Sequence, residues 1–333
     1  MKIKMLSGIG LSAALSLAAI PAGAETVLKL GSVAPSGSPW GQWAQTVAGQ
    51  IEEISGGEMK IELLMDAQAG DEQTILRQTA KGRLDIAFVS NVPLTLLSEE
   101  MAIPSAAYLF DSDAQGTCVT YNHLKDTLGG IMEDAGVVPL TWMEVGHYIL
   151  FSKEPLSGPA DLQGKKVRIA PSIADAALAR AWGTQGVPMG TSDTIPALQT
   201  GAVDAAWFPA LFGIGIGTQK VAPNITVTNH ARLIGTVAVS SRTWAKLSDQ
   251  EKQWLGVFTA AGPKLTQGIL GAEPAILGKL EAAGVPVKYL TPEESAVWKE
   301  AAGGVLDEVV KEAGGKAQAV AESIAGAKAA CGS

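Results

Sequence analysis

Two nine-residue stretches of this 333-residue chain can be laid over each other: KGRLDIAFV from Lys81 and TGAVDAAWF from Thr200. Each reads helix end, Gly, any residue, Leu or Val, Asp, any residue, Ala, aromatic. Gly82 and Gly201 suit helix C-caps, where a left-handed residue ends the last turn. Asp85 and Asp204 open the strands that follow. A chain that makes the same helix-to-strand junction twice points to a pair of similar α/β lobes.

The surrounding pattern agrees. TVLKLGSV, MKIELL and LDIAFV read as strands, separated by helical spacing over Ser38–Ser55 (apolar stripe Trp40, Trp43, Val47, Ile51) and over Glu72–Lys81. The order recurs as KKVRIA, a helix over Ser172–Trp182, a helix over Asp193–Thr200, and VDAAWF. Strands alternating with helices of this length predict an α/β fold with largely parallel sheet. From Trp244 onward the chain is mainly helical. Ser248 with Glu251 three residues on forms a capping box, and VPVKYL is the one strand expected there.

The first 24 residues have a different composition. Lys2 and Lys4 precede an apolar run from Met5 to Ile20, and Ala22-Gly23-Ala24 follows. A basic start, a short apolar core and an A-x-A ending predict a secretory signal peptide cut after Ala24. The formal net charge is −8, and the leader holds two of the positive charges. That acidic balance argues against nucleic acid and anionic membrane surfaces as partners. Cys118 and Cys331 are the two cysteines; an even count in an oxidising compartment predicts that they pair.

Motifs for catalysis are sparse. His123, His147 and His230 have no metal-ligand spacing, and neither a G-x-S-x-G elbow nor a G-x-x-x-x-G-K-[ST] phosphate loop occurs. GIGIG at 213–217 lacks a full dinucleotide signature and reads as a glycine-rich packing turn. Glu99-Glu100 and Glu293-Glu294 read as solvated helix faces. No metal or cofactor is implied.

Arg168 stands apart. In KKVRIAPS, Val167 and Ile169 point one way along the strand and Arg168 the other. Ligands of open α/β sheets collect beyond the carboxyl ends of the strands. Ser172 can cap the next helix, whose first N–H groups also favour an anion. A guanidinium there faces water, makes a structural ion pair, or holds a carboxylate as a planar bidentate pair.

DLQGKKVRIAPS, VPMGTSDTIPALQTGAVDA and TVTNHARLIG, in this order, resemble the DctP-type solute receptors of tripartite ATP-independent periplasmic (TRAP) transporters. SGGEMKIEL, AQAGDEQTILRQTAKGRLDIAF and AAYLF extend the resemblance through the N-terminal half. The resemblance implies two α/β lobes joined by crossing strands and a long helix, closing on ligand like a clamshell. It implies that Arg168 pairs with a substrate carboxylate and that membrane permease subunits are partners. The expected lobes are 25–147 with about 232–280, and 148–231 with about 281–333. A receptor feeding a sensor, or an enzyme on a similar frame, is the alternative.

Two positions depart from the family pattern. Many members carry a second arginine twenty residues before the first, where this chain has Tyr148, or His147 if the alignment slips by one. Many have an asparagine where this chain has Phe208. From the other lobe Trp40, Ser90 and Asn91 are expected at the cleft, and Asp193 and Trp207 complete the candidate set. With two polar anchors turned aromatic, the expected ligand is a monocarboxylate with an apolar or aromatic body.

Overall fold

The computed structural model describes residues 25–332, so the expected leader lies outside the described residues. Strands β1 (Thr26–Gly31), β2 (Met59–Leu64) and β3 (Ile86–Ser90) alternate with helices α1 (Pro39–Ile54) and α2 (Glu72–Ala80). Helices α3 (Asp113–Asn122) and α4 (Leu124–Asp134) lead into a long strand, β4 (Val137–Ser152). The first order then recurs: β5 (Lys166–Ile169), α5 (Ile173–Ala181), β6 (Gln185–Pro188), α6 (Thr191–Thr200) and β7 (Ala205–Pro209). Short α7 (Ala210–Gly215), β8 (Asn224–Val227), β9 (Arg232–Ser240) and α8 (Ser241–Trp244) follow. The 34-residue α9 (Asp249–Ala282), β10 (Val287–Tyr289), α10 (Pro292–Ala301), α11 (Val305–Ala313) and α12 (Ala317–Cys331) complete the chain.

The strands lie in the order β2-β1-β3-β9-β4-β7-β5-β6, with β8 paired to β4 and to β10. The two halves mirror each other in topology: β2-β1-β3 is parallel and ends on antiparallel β9, and β6-β5-β7 is parallel and ends on antiparallel β4. The sheet is therefore mixed rather than largely parallel. Its two middle strands each come from the opposite half, so they enter against the local direction.

The repeated nine residues make the same junction in both halves. Gly82 (φ +70°) and Gly201 (φ +77°) are left-handed, where a side chain would be strained. The Asp85 carboxylate accepts from the Lys29 backbone N–H at 3.0 Å, and the Asp204 carboxylate accepts from that of Lys166 at 3.0 Å. Each aspartate thus ties the entry of its strand to the neighbouring parallel one.

β4 carries the chain between the halves. Val137 to His147 pair with β9, and Tyr148 to Ser152 pair with β7. A bulge separates Glu144 from Gly146, whose φ is +120°. A Cβ on Gly146 would meet Glu273 Oε1 of α9 at 2.3 Å, so both conformation and space demand glycine. The long helix is thereby pressed against the crossing point.

α11 packs on α5, beside the second half, whereas α12 returns to α3 and α4, beside the first. Cys118 of α3 and Cys331 of α12 are paired, with Cα atoms 5.9 Å apart. Two smaller expectations are corrected. Glu100 is buried rather than solvated, because its carboxylate accepts from the Lys316 N–H at 2.9 Å and from the Ser98 hydroxyl. GIGIG is half helix: Gly213 lies inside α7, where a Cβ would come 2.6 Å from the Phe151 ring.

Candidate functional site: a carboxylate cleft between the sheet halves

A cavity of about 120 Å³, partly open to solvent, lies where the carboxyl ends of β3, β5 and β7 converge. Its first-half wall is Glu72 at the start of α2 and Ser90 at the end of β3. Its second-half wall is Arg168, Phe208 and Thr191, with Tyr148 on the crossing strand between them. Val145, Leu233 and Phe212 close it with apolar surface.

Arg168 is 4% exposed. Its two terminal nitrogens donate to the carbonyls of Trp207 and Met189, each at 3.1 Å, so the fork is braced by the ends of β7 and β6. Nε has no partner among the described residues. The guanidinium carbon sits 4.1 Å from the centroid of the Phe208 ring, a cation–π contact. Phe208 is thus the seat of the arginine as well as a wall. Among the described residues no carboxylate comes within 4.0 Å of Arg168. Burial pulls its pKa down, and the nearby carboxyl groups of Asp175 and Glu72 push it back. An arginine nevertheless stays protonated, so the cleft holds a buried positive charge without an ion-pair partner.

The groups around it divide into cleft and core. Tyr148 is 3% exposed, and its ring stacks on His230 at 5.6 Å with 7° between planes. Its hydroxyl makes no hydrogen bond to the described residues. Burial drives the phenol pKa well up, so the group is a neutral donor. His230 is buried and neutral, since desolvation lowers its pKa to about 3. Trp207 is fully buried, edge-on to Trp182 and His230, and donates to Asp175 Oδ1 at 2.5 Å. Burial raises the Asp175 pKa to about 6.

Several expected cleft residues sit elsewhere. His147 is on the opposite face of β4 from Tyr148, as alternation requires. Its Nδ1 meets Glu273 Oε2 at 2.8 Å and its Nε2 meets Asp113 Oδ1 at 2.9 Å. Burial opposes its charge, but those two bonds and charges win and raise the pKa to about 9. Asn91 is buried behind the cleft, donating to the Met101 carbonyl at 2.9 Å and accepting from Ser105 Oγ at 3.0 Å. Trp40 is in the core of the first half, edge-on to Phe212 at 6.3 Å. Trp207 belongs to the core, and only its carbonyl serves the site. Asp193 lies in the first turn of α6 and does not line the cavity.

Glu72, Thr191 and Phe212 line the cavity without having been expected there. Glu72 accepts from the Ser90 N–H at 2.6 Å and from Ser90 Oγ at 2.8 Å. Burial raises its pKa, opposed by those bonds and by Arg168. Its one signal in the sequence was its place in AGDEQ, where a first-turn acid also suits the helix dipole.

The family model of the bacterial extracellular solute-binding proteins, family 7 (DctP), matches residues 30–313. The chain is 28% identical over 285 residues to the sialic acid-binding periplasmic protein SiaP of Vibrio cholerae, covering 82% of this chain and 85% of that protein. It is 27% identical over 332 residues to the C4-dicarboxylate-binding periplasmic protein DctP of Rhodobacter capsulatus, covering 98% of both. A TRAP periplasmic solute-binding protein of Desulfovibrio salexigens with bound orotic acid superposes with a TM-score of 0.87 at 18% identity, over 92% of this chain and all of that one. That structural likeness carries the two-lobed α/β fold. The chain belongs to the DctP family of bacterial extracellular solute-binding proteins, the periplasmic receptors of TRAP transport.

Proposed function

We propose that this receptor captures a monocarboxylate with an apolar or aromatic body, by closure of the cleft, and delivers it to TRAP membrane subunits without transforming it. The observation that carries the reading is Arg168: a charged guanidinium, 4% exposed, without a carboxylate of the described residues in ion-pair reach. Burying such a charge unpaired costs several kcal/mol, on the order of what a bound carboxylate would restore. The named ligands of the relatives SiaP and DctP, sialic acid and C4-dicarboxylate, share a carboxylate with the proposed one. Tyr148 can give that carboxylate one neutral hydrogen bond, and Phe208, Phe212, Val145 and Leu233 offer apolar surface to the rest.

The proposed lobes are 25–147 with about 232–280, and 148–231 with about 281–333, with α12 reaching back to the first. Ligand that touches both lobes only when they are shut favours the closed state. Export with cleavage after Ala24 puts the mature N-terminus at Glu25, and no described helix is long and apolar enough to cross a membrane. Intact-mass spectrometry of exported protein checks that terminus; retention of Met1 to Ala24 contradicts it.

Thermal-shift and calorimetric screening against organic acids tests the ligand class. A ligand at 100 times its Kd stabilises the native state by about 2.7 kcal/mol. Aromatic or branched monocarboxylates should give the largest shifts. Preference for succinate or a sialic-acid-like polyol overturns the apolar-wall reading, and consumption of the ligand overturns the receptor reading.

A further inference from the structure

Asp175 is buried in the first turn of α5 and does not line the ligand cavity. Its Oδ1 accepts from the Ala170 N–H at 3.3 Å and from the Trp207 indole N–H at 2.5 Å. Ala170 directly follows β5, the strand that carries Arg168, and Trp207 lies in β7, where its carbonyl accepts from the guanidinium. One carboxylate oxygen thus ties the strand that bears Arg168 to the strand that braces it. No oxygen of Asp175 comes within 4.0 Å of a nitrogen of Arg168, yet each group favours the charged form of the other. The other groups facing Asp175 carry no charge near neutral pH. A cavity of about 10 Å³ beside it is lined by Ser105, Tyr148, Trp207 and His230. Burial keeps the Tyr148 phenol protonated, and it keeps the His230 imidazole neutral, with a pKa of about 3. Glu72 of α2 is the other carboxyl group whose charge reaches Arg168.

We propose that Asp175 is the positioning residue of Arg168: it clamps the ends of β5 and β7 around the guanidinium, and its carboxylate takes up a proton from solvent when an anionic ligand binds that guanidinium. The inference rests on the reading of Arg168 as the carboxylate anchor. In the free protein the buried cation and the buried carboxylate offset each other. A ligand carboxylate brings a second negative charge to the same guanidinium, and two acids that share one cation cannot both ionise freely. Burial already holds the Asp175 pKa at about 6, opposed by the Trp207 bond and by Arg168. The ligand charge therefore lifts it into the neutral range. A group whose pKa rises on binding makes binding take up protons, so affinity rises as pH falls through that range. The neutral carboxyl group still has an acceptor oxygen for Trp207 and Ala170, so the clamp persists in both states.

The test is calorimetry on the mature chain, with whichever of 3-phenylpropanoate, 4-methylpentanoate, pyruvate and gluconate binds most tightly. Arg168 and these carboxylates keep their charges between about pH 5.5 and 8. Wild-type affinity should rise about fivefold or more from pH 8 to pH 5.5, the size expected for a shift of about one pKa unit on binding. Asp175→Asn keeps an acceptor for Trp207 and Ala170 but cannot titrate, and its affinity should vary by less than about twofold over the same range. Trp207→Phe removes a bond that favours the charged carboxylate, so it should move the midpoint of the rise to higher pH. At pH 5.5, where wild-type Asp175 is mostly protonated, Asp175→Asn should bind within about threefold of wild type. Asp175→Ala, which removes the acceptor, should bind about tenfold or more weakly. Each variant is first checked for a native-like circular dichroism spectrum. The proposal is overturned if Asp175→Asn keeps the wild-type pH profile, if Glu72→Gln alone flattens it, or if Asp175→Ala binds as tightly as Asp175→Asn. If Arg168→Lys leaves affinity unchanged, the carboxylate anchor is wrong and this inference falls with it. A flat wild-type profile with Arg168→Lys still impaired overturns the role of Asp175 alone.

Discussion

At the scale of the residue, Arg168 shows how a strand tip carries a buried charge to a cleft. Its neighbours Val167 and Ile169 fill the core, and the alternation of the strand turns the arginine toward the cleft. There the carbonyls of Trp207 and Met189 and the face of Phe208 hold it rigid. Arg168→Lys keeps a charge but loses the planar fork, so ligand affinity should fall by roughly 2 kcal/mol or more. Calorimetry with the best ligand of the screen measures this, and unchanged affinity contradicts the assignment. Tyr148→Phe removes one neutral donor while keeping the stack on His230, and should cost only about 0.5–1.5 kcal/mol. An equal loss in the two variants would mean that the guanidinium contributes no more than the phenol. That Arg168, Tyr148, Phe208 and Ser90 line one cavity was legible from motif, alternation and the internal repeat. Glu72 was not, because a first-turn glutamate looks the same whether it faces water or a serine at the end of the neighbouring strand. Asn91 misled for a related reason: it adjoins Ser90 in sequence, but the chain turns after the strand and buries its amide against Met101 and Ser105.

At the scale of the element, strands and helices with strong local periodicity were legible, and the crossing point was not. β1, β2, β3, β5 and β7 announce themselves by apolar alternation, and α9 by the capping box of Ser248 and Glu251. β4 depends on tertiary partners instead: β9 along its first part, β7 and β8 along its last. Its central His147 is pinned by Asp113 of α3 and Glu273 of α9. This pin should make stability depend on pH. The folded pKa is about 9 against an ordinary value of 6.5. Protonated His147 therefore stabilises the native state fully below about pH 6.5, and the contribution fades as pH rises through 9. Urea midpoints measured from pH 6 to 10 should fall in wild type and fall less in His147→Gln. Parallel profiles for the two proteins would show that the histidine proton does not hold the crossing strand.

At the scale of the whole molecule, two long-range ties set what can move. The pair Cys118–Cys331 spans 213 residues of sequence and fastens α12 to α3. Closing so long a loop contributes on the order of 5 kcal/mol in the chain-entropy account. Thiol titration of denatured, unreduced protein should find no free thiols, and reduction should lower the melting temperature; two reactive thiols would refute the pairing. The second tie is between the halves. Trp40 on α1 meets Phe212 on α7 edge-on at 6.3 Å, although Trp40 itself does not line the cavity. An aromatic pair of this kind contributes about 0.5–1.5 kcal/mol beyond the area it buries. If closure and binding are one equilibrium, weakening a contact made only in the closed form lowers the population competent to hold ligand. Apparent affinity then falls in the same proportion, with no change to the groups that touch the ligand. Trp40→Phe retains an aromatic edge at reduced size, whereas Trp40→Leu removes it. Trp40→Leu should weaken binding by roughly two- to tenfold, and Trp40→Phe by less. Small-angle scattering should show wild type contracting on addition of saturating ligand, and the Trp40→Leu protein needing more ligand for the same contraction. A scattering curve that does not change with ligand, or a Trp40→Leu affinity equal to wild type, would show that the halves are already locked and that binding does not shift their balance.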